Sequence, residues 1–171
     1  MVLGRRSPRM GGGFFCYLYA NNNSIMGKRI SDITAAIAAI AEQQGRQYVH
    51  QPVAAANVEA DYITGKMLEQ RVLTGGEVQL DGERCRKRWD VLLLWLEPMP
   101  LDFTGAEADR LVEAAWGDAV ACVRSLSEQG WNIGDVVNIS AVYDEHDANV
   151  GGVAATLTIM GDLECINDYG L

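Results

Sequence analysis

The stretch that decides the fold is Arg88-Trp89-Asp90-Val91-Leu92-Leu93-Leu94-Trp95-Leu96, halted by Glu97-Pro98-Met99-Pro100. Its apolar run is nearly continuous rather than alternating, which predicts a strand buried on both faces and therefore central in its sheet. The prolines end it, because each removes a backbone donor and fixes φ. Upstream, Tyr62-Ile63-Thr64, Met67 to Leu73 and Glu77-Val78-Gln79-Leu80 are short β-prone runs, punctuated by Gly65, Gly75-Gly76 and Asp81-Gly82 as turn residues. Tyr48-Val49 predicts one more short strand. Downstream, Val136 to Tyr143 and Val153 to Met160 partly alternate polar and apolar residues, which predicts an antiparallel hairpin joined by residues 144–152.

Two helices complete the pattern. Ser31 and Asp32 offer capping oxygens, and Ile30, Ile33, Ile37, Ile40 and Ala41 recur at helical spacing until Gln43-Gln44-Gly45, so a short helix is expected over 31–44. Thr104-Gly105-Ala106-Glu107 has the spacing of a capping box, in which the threonine hydroxyl accepts from the third amide and the glutamate reaches back. It opens a long helix over 105–129, closed by Gly130. Leu111, Ala115, Cys122 and Leu126 form its main apolar stripe, with Val112, Trp116, Ala119, Val120 and Val123 beside it, so a wide face is expected to lie buried on the sheet. Trp89, Trp95, Trp116 and Trp131 all read as packing residues. The element order predicts an α+β domain: a mainly antiparallel sheet with one short N-terminal helix and one long helix packed on it.

At 171 residues the chain is long enough for one core without a metal or disulfide staple. A single domain is expected over 26–171, with residues 161–171 as a C-terminal arm. Residues 1–25 read as a disordered tail or a non-native extension. Arg5, Arg6 and Arg9 before the apolar Phe14 to Ala20 imitate a signal peptide, but three glycines precede that run and Asn21-Asn22-Asn23 follows it. A far better beginning is Met26, just ahead of the capped helix. No apolar stretch reaches the roughly 20 residues of a membrane-spanning helix.

The composition, 49% hydrophobic and 22% charged, is that of a globular protein, and its net charge of −9 argues against a general nucleic-acid binder. That figure hides a division. Residues 1–30 carry five basic groups and no acid, leaving 9 basic and 23 acidic groups in the rest, a balance of −14. From Asp102 onward only Arg110 and Arg124 oppose thirteen carboxylates. Such a surface favours a basic partner. Against this background Arg84-Cys85-Arg86-Lys87-Arg88 is the basic cluster of the body, read as a hairpin end without the interleaved aromatics of a single-strand binder.

Cys16, Cys85, Cys122 and Cys165 lie far apart, as do His50 and His146, so neither zinc-ligand spacing nor a disulfide framework is present, and a reducing compartment is expected. The glycine-rich pieces match no nucleotide-binding pattern, and no G-x-S-x-G elbow occurs. No cofactor is indicated. Asp144, Glu145, His146, Asp147 and Asn149 supply metal-ligand types in one loop, but the glycine and glutamate positions of a calcium loop are not met. That loop reads rather as an acidic hairpin tip that touches a partner.

The short helix with Ile33 and Ile37, the strand Trp89 to Leu96 ending in Glu97-Pro98, the helix capped from Thr104, and the hairpin from Val142-Tyr143-Asp144 to Leu157-Thr158-Ile159 resemble, in order and length, the tail-terminator and tail-completion proteins of long-tailed bacteriophages. The resemblance implies a non-enzymatic virion protein, assembled in the host cytoplasm. It implies a homo-oligomeric ring, commonly a hexamer, that caps the tail tube and meets the head-completion proteins, with no nucleic acid or membrane as direct partner. Ring building needs complementary head-to-tail surfaces. Arg84, Arg86, Lys87 and Arg88 on one side and Asp144, Glu145 and Asp147 on the other are the expected contacts. Two alternatives come from other classes: a metal-dependent hydrolase or ligand-binding enzyme using the 144–149 loop, and an acidic adaptor for a basic partner.

Overall fold

The computed structural model describes residues 30–51, 64–71, 76–81, 84–135, 137–143 and 149–163. The expected N-terminal extension, the Tyr62-Ile63 run, the acidic tip 144–148 and the chain beyond Leu163 lie outside the described residues. Helix α1 spans Ile30–Gln43 and is followed by strands β1 (Gln47–Gln51), β2 (Met67–Arg71), β3 (Gly76–Asp81) and β4 (Arg84–Pro98). Then come helix α2 (Gly105–Glu128) and strands β5 (Asn132–Ile133), β6 (Asn138–Tyr143) and β7 (Val150–Leu163). The architecture is α+β, as its sequence pattern predicts.

Two long antiparallel strands, β4 and β7, form the spine of the sheet, in register from Cys85↔Leu163 to Pro98↔Val150. Each carries two short strands along its outer side. On β4 these are β2, opposite Leu93 to Leu96, and β3, opposite Arg84 to Trp89. On β7 they are β6, opposite Gly151 to Thr156, and β5, opposite Ile159 and Met160. Beyond β2 lies β1, paired with it in parallel, the one departure among the described strands from an antiparallel sheet. A parallel neighbour needs a crossover, and residues 52–66 supply its length. β7 is longer than the expected 153–160 at both ends, so part of the expected joiner and arm belongs to the strand.

Alternate residues of β4 decide where the core sits. Trp89, Val91, Leu93 and Trp95 face the helices, together with Val153, Ala155, Leu157 and Ile159 of β7. Over them pack Ile33, Ile37, Ile40 and Ala41 of α1 and Ala115, Ala119, Cys122 and Leu126 of α2. The small residues of α2 let its axis come close to the sheet. On the opposite face, Leu94 and Leu96 are buried in a second cluster with Met67 and Val150, whereas Leu92 is 37% exposed and Asp90 is exposed. The expectation of burial on both faces therefore holds for the C-terminal half of the strand and is corrected for the N-terminal half. There the open face is polar, with the Thr158 hydroxyl donating to Asp90 at 2.7 Å. Close contact of the two spine strands requires Gly152, where a Cβ would overlap the Trp95 carbonyl.

Both helices end in the same way. Gly45 (φ 66°) and Gly130 (φ 78°) adopt the left-handed conformation that glycine tolerates best. Around each, the amide of the following residue bonds five residues back (Arg46 N–H to Ala41 O, 2.9 Å; Trp131 N–H to Leu126 O, 3.1 Å), the Schellman pattern. In consequence the chain turns inward, and the residue after each glycine, Arg46 or Trp131, is buried. At the start of α2, Glu107 reaches back as expected: its carboxylate accepts from the Thr104 amide at 2.8 Å. The Thr104 hydroxyl also donates to that carboxylate, at 2.7 Å.

Candidate functional site

The basic segment is part of β4 itself, and its register changes its meaning. Arg84 stands opposite Asp81, Arg86 opposite Gln79 and Asp162, and Arg88 opposite Glu77. Each arginine position thus has an acid across the ladder, and the Arg88 and Glu77 side chains come within 3.7 Å. Lys87 stands opposite Val78 and Gly161, with no acid across from it, and its ammonium lies 5.6 Å from the centre of the Trp89 ring. The indole N–H of Trp89 is buried and has no hydrogen-bond partner among the described residues. Register thus places acids across the ladder from the arginines that make 84–88 conspicuous in sequence.

Asp144, Glu145 and Asp147 lie outside the described residues, but the strands they join are fixed. β6 ends at Tyr143, paired with Gly151, and β7 begins at Val150, paired with Pro98. The acidic segment therefore leaves and re-enters the sheet at the end where β4 stops, and the basic segment sits where β4 begins. The ten residue-to-residue steps from Arg88 to Pro98 span about 33 Å. Asn149, a ligand type in the proposed metal loop, is used at the base of the hairpin: its amide donates to the Met99 carbonyl, and the Met99 amide bonds back to the Asn149 carbonyl at 2.8 Å.

The densest polar constellation is one that sequence reading misses. Arg46 has a fully buried side chain whose Nε and Nη2 both donate to one carboxylate oxygen of Asp118, at 2.9 and 2.6 Å. Nη2 also meets Glu97 at 2.8 Å, and Nη1 is directed at the Met67 and Leu96 carbonyls. Lys66 approaches the same Glu97 oxygen at 3.2 Å. Gln44 completes the arrangement by donating to the Asp118 carbonyl at 2.7 Å and accepting from the Trp95 indole at 3.1 Å. The Schellman turn at Gly45 delivers Arg46 to this place; the only sequence signal is a cation two residues after the last helical turn, which many surface loops share.

Nearby, the Tyr48 hydroxyl donates to the Gln70 side chain at 2.7 Å, the Gln70 amide donates to Thr34 at 3.2 Å, and burial pushes the Tyr48 phenol up to about 12. Glu69 and Arg71 form a buried pair at 2.8 Å on the far face of β2. These polar groups tie elements together and are engaged with one another. Cys122 is buried, and its thiol is pushed up to about 12 by loss of solvation, which suits a small core residue and opposes a nucleophilic role. Among the described residues no three His, Cys, Asp or Glu side chains gather closely enough to hold a metal ion. No helix among them is long and apolar enough to cross a membrane.

One expectation about α2 is overturned. Trp116 and Val120, read as flanks of the buried stripe, are 42% and 49% exposed. The small core-facing residues Ala115 and Ala119 satisfy the sheet alone, so the buried face is narrower than the sequence pattern and the larger side chains turn outward. Trp89, Trp95 and Trp131 are buried packing residues, whereas Trp116 is not. The chain matches no known protein family, and no curated protein matches it.

Proposed function

We propose that the protein is a structural assembly protein of a bacteriophage virion, a tail terminator or completion protein that closes into a ring on the end of the tail tube and meets the head-completion proteins. The observation that carries the assembly part of this reading is the separation of the two charged segments. The strand ends that flank the acidic segment, Tyr143 and Val150, lie at one end of the long strand pair and Arg88 lies toward the other, about 33 Å along it, so we assign the contact between the segments to neighbouring copies. Opposite ends that complement each other generate a head-to-tail array, which closes into a ring when each step turns the chain by a fixed angle. Lys87, unmatched across the ladder, is the basic residue most available to the acidic tip of the next copy. The element order of the fold, short helix, strands, capped helix and final hairpin, supports the terminator class.

Native mass spectrometry and electron microscopy of the full chain test this. The expected result is a closed ring that binds the ends of purified tail tubes. Replacing Asp144, Glu145 and Asp147 with their amides should open the ring, and Lys87→Glu should weaken it. A chain that stays monomeric at high concentration and ignores tube ends overturns the reading.

A further inference from the structure

The outward crest of α2 carries residues that the fold itself does not use. At about 100° per residue, Glu113, Gly117, Val120 and Arg124 lie on the line opposite Ala115, Ala119, Cys122 and Leu126, with Trp116 on one flank and Ala121 on the other. All six are exposed. A Cβ placed at Gly117 meets nothing within 4 Å, so no packing inside the chain calls for glycine there, although glycine weakens a helix interior. A glycine at the centre of the outward line, beside an exposed tryptophan and valine, is what a closely approaching neighbour needs.

The order of residues along the crest identifies that neighbour. When the sequence is reversed about the point between Asp118 and Ala119, position 113 falls on 124, 116 on 121 and 117 on 120. Valine thus meets glycine on the outward line, and a carboxylate meets a guanidinium. We infer that α2 pairs with α2 of a second copy of this chain, antiparallel about a two-fold axis. On one flank the two Trp116 side chains meet across the axis and on the other the two Ala121, Val120 fills the space over Gly117, and Glu113 faces Arg124 twice. Arg124 also contacts Glu128 of its own helix at 3.1 Å, both groups being exposed, and it lies between the two carboxylates in the pair. Arg110 meets Glu128 of the second copy on one flank, and Asp109 meets Ser127 on the other. Such an isologous contact is its own complement. It lies on the helix layer, away from the ends of the sheet, and does not rest on the ring.

Charge exchange in the full chain tests it, read by native mass spectrometry and sedimentation. The wild-type particle should contain an even number of copies. Glu113→Arg and Arg124→Glu should each halve that number, raising the dissociation constant of the pair about tenfold or more through two like-charge contacts. An equimolar mixture of the two variants should restore the wild-type mass, because one copy then carries two arginines and the other two glutamates. Trp116→Ala should halve the mass with no rescue by mixing. A wild-type monomer, an odd-numbered particle, variants of unchanged mass, or a mixture that does not recover overturns the pairing. Failure of the ring shows separately, as two copies in place of a larger even number.

Discussion

Arg46 shows how a single position ties four segments together. Its guanidinium joins α2 through Asp118, the end of β4 through Glu97, and the backbone of β2, while the glycine before it sets the direction of approach. Removing this cation leaves Asp118 without its guanidinium and Glu97 with Lys66 alone. We expect Arg46→Met to cost about 2–4 kcal/mol, seen as a fall in Tm of roughly 5–15 °C. Arg46→Lys should recover only part of this, because one ammonium does not reproduce the planar fork. None of this was legible in the sequence. An arginine after Gly45 looks like any surface cation, and its partners at 97 and 118 are 51 and 72 residues away. The basic run 84–88 is the opposite case: it stands out in one dimension, and the acids placed opposite its arginines are neighbours only across the ladder.

At the level of elements the sequence was far more informative, because periodicity and caps are local. Both helices, β4 and the β6–β7 hairpin were legible from spacing alone. β5, with two residues, was too short to leave a pattern, and the parallel pairing of β1 depends on a crossover that composition does not encode. The width of the buried face of α2 was overread, since helical periodicity locates an apolar stripe without saying which side chains the sheet has room for. The cap of that helix yields a clear pH prediction. Hydrogen bonds from the Thr104 amide and hydroxyl hold the Glu107 carboxyl below its ordinary range. A lowered value stabilises the folded state above the unfolded value and is lost as pH falls through the folded one. Glu107→Gln should therefore lower Tm at pH 7, and the difference should fade as pH falls through the lowered folded-state value.

For the whole molecule, the charge contacts at the two ends of the sheet and the α2 pair, which adds Trp116 and Val120 to its charges, respond differently to salt. Exposed charge contacts weaken as the screening length shortens, whereas apolar burial does not. Raising salt from about 0.05 to about 0.5 M should therefore dissolve a ring while leaving pairs of copies, as sedimentation would show. The spine has a further consequence for a subunit held at both ends. A neighbour gripping the start of β4 and another gripping the segment ahead of β7 would pull these antiparallel strands lengthwise past each other, because the two grips lie at opposite ends of the ladder. Every rung from Cys85↔Leu163 to Pro98↔Val150 then resists together in shear, instead of parting one at a time as in peeling. Under tension along that direction, the joints between copies should yield before the subunit does.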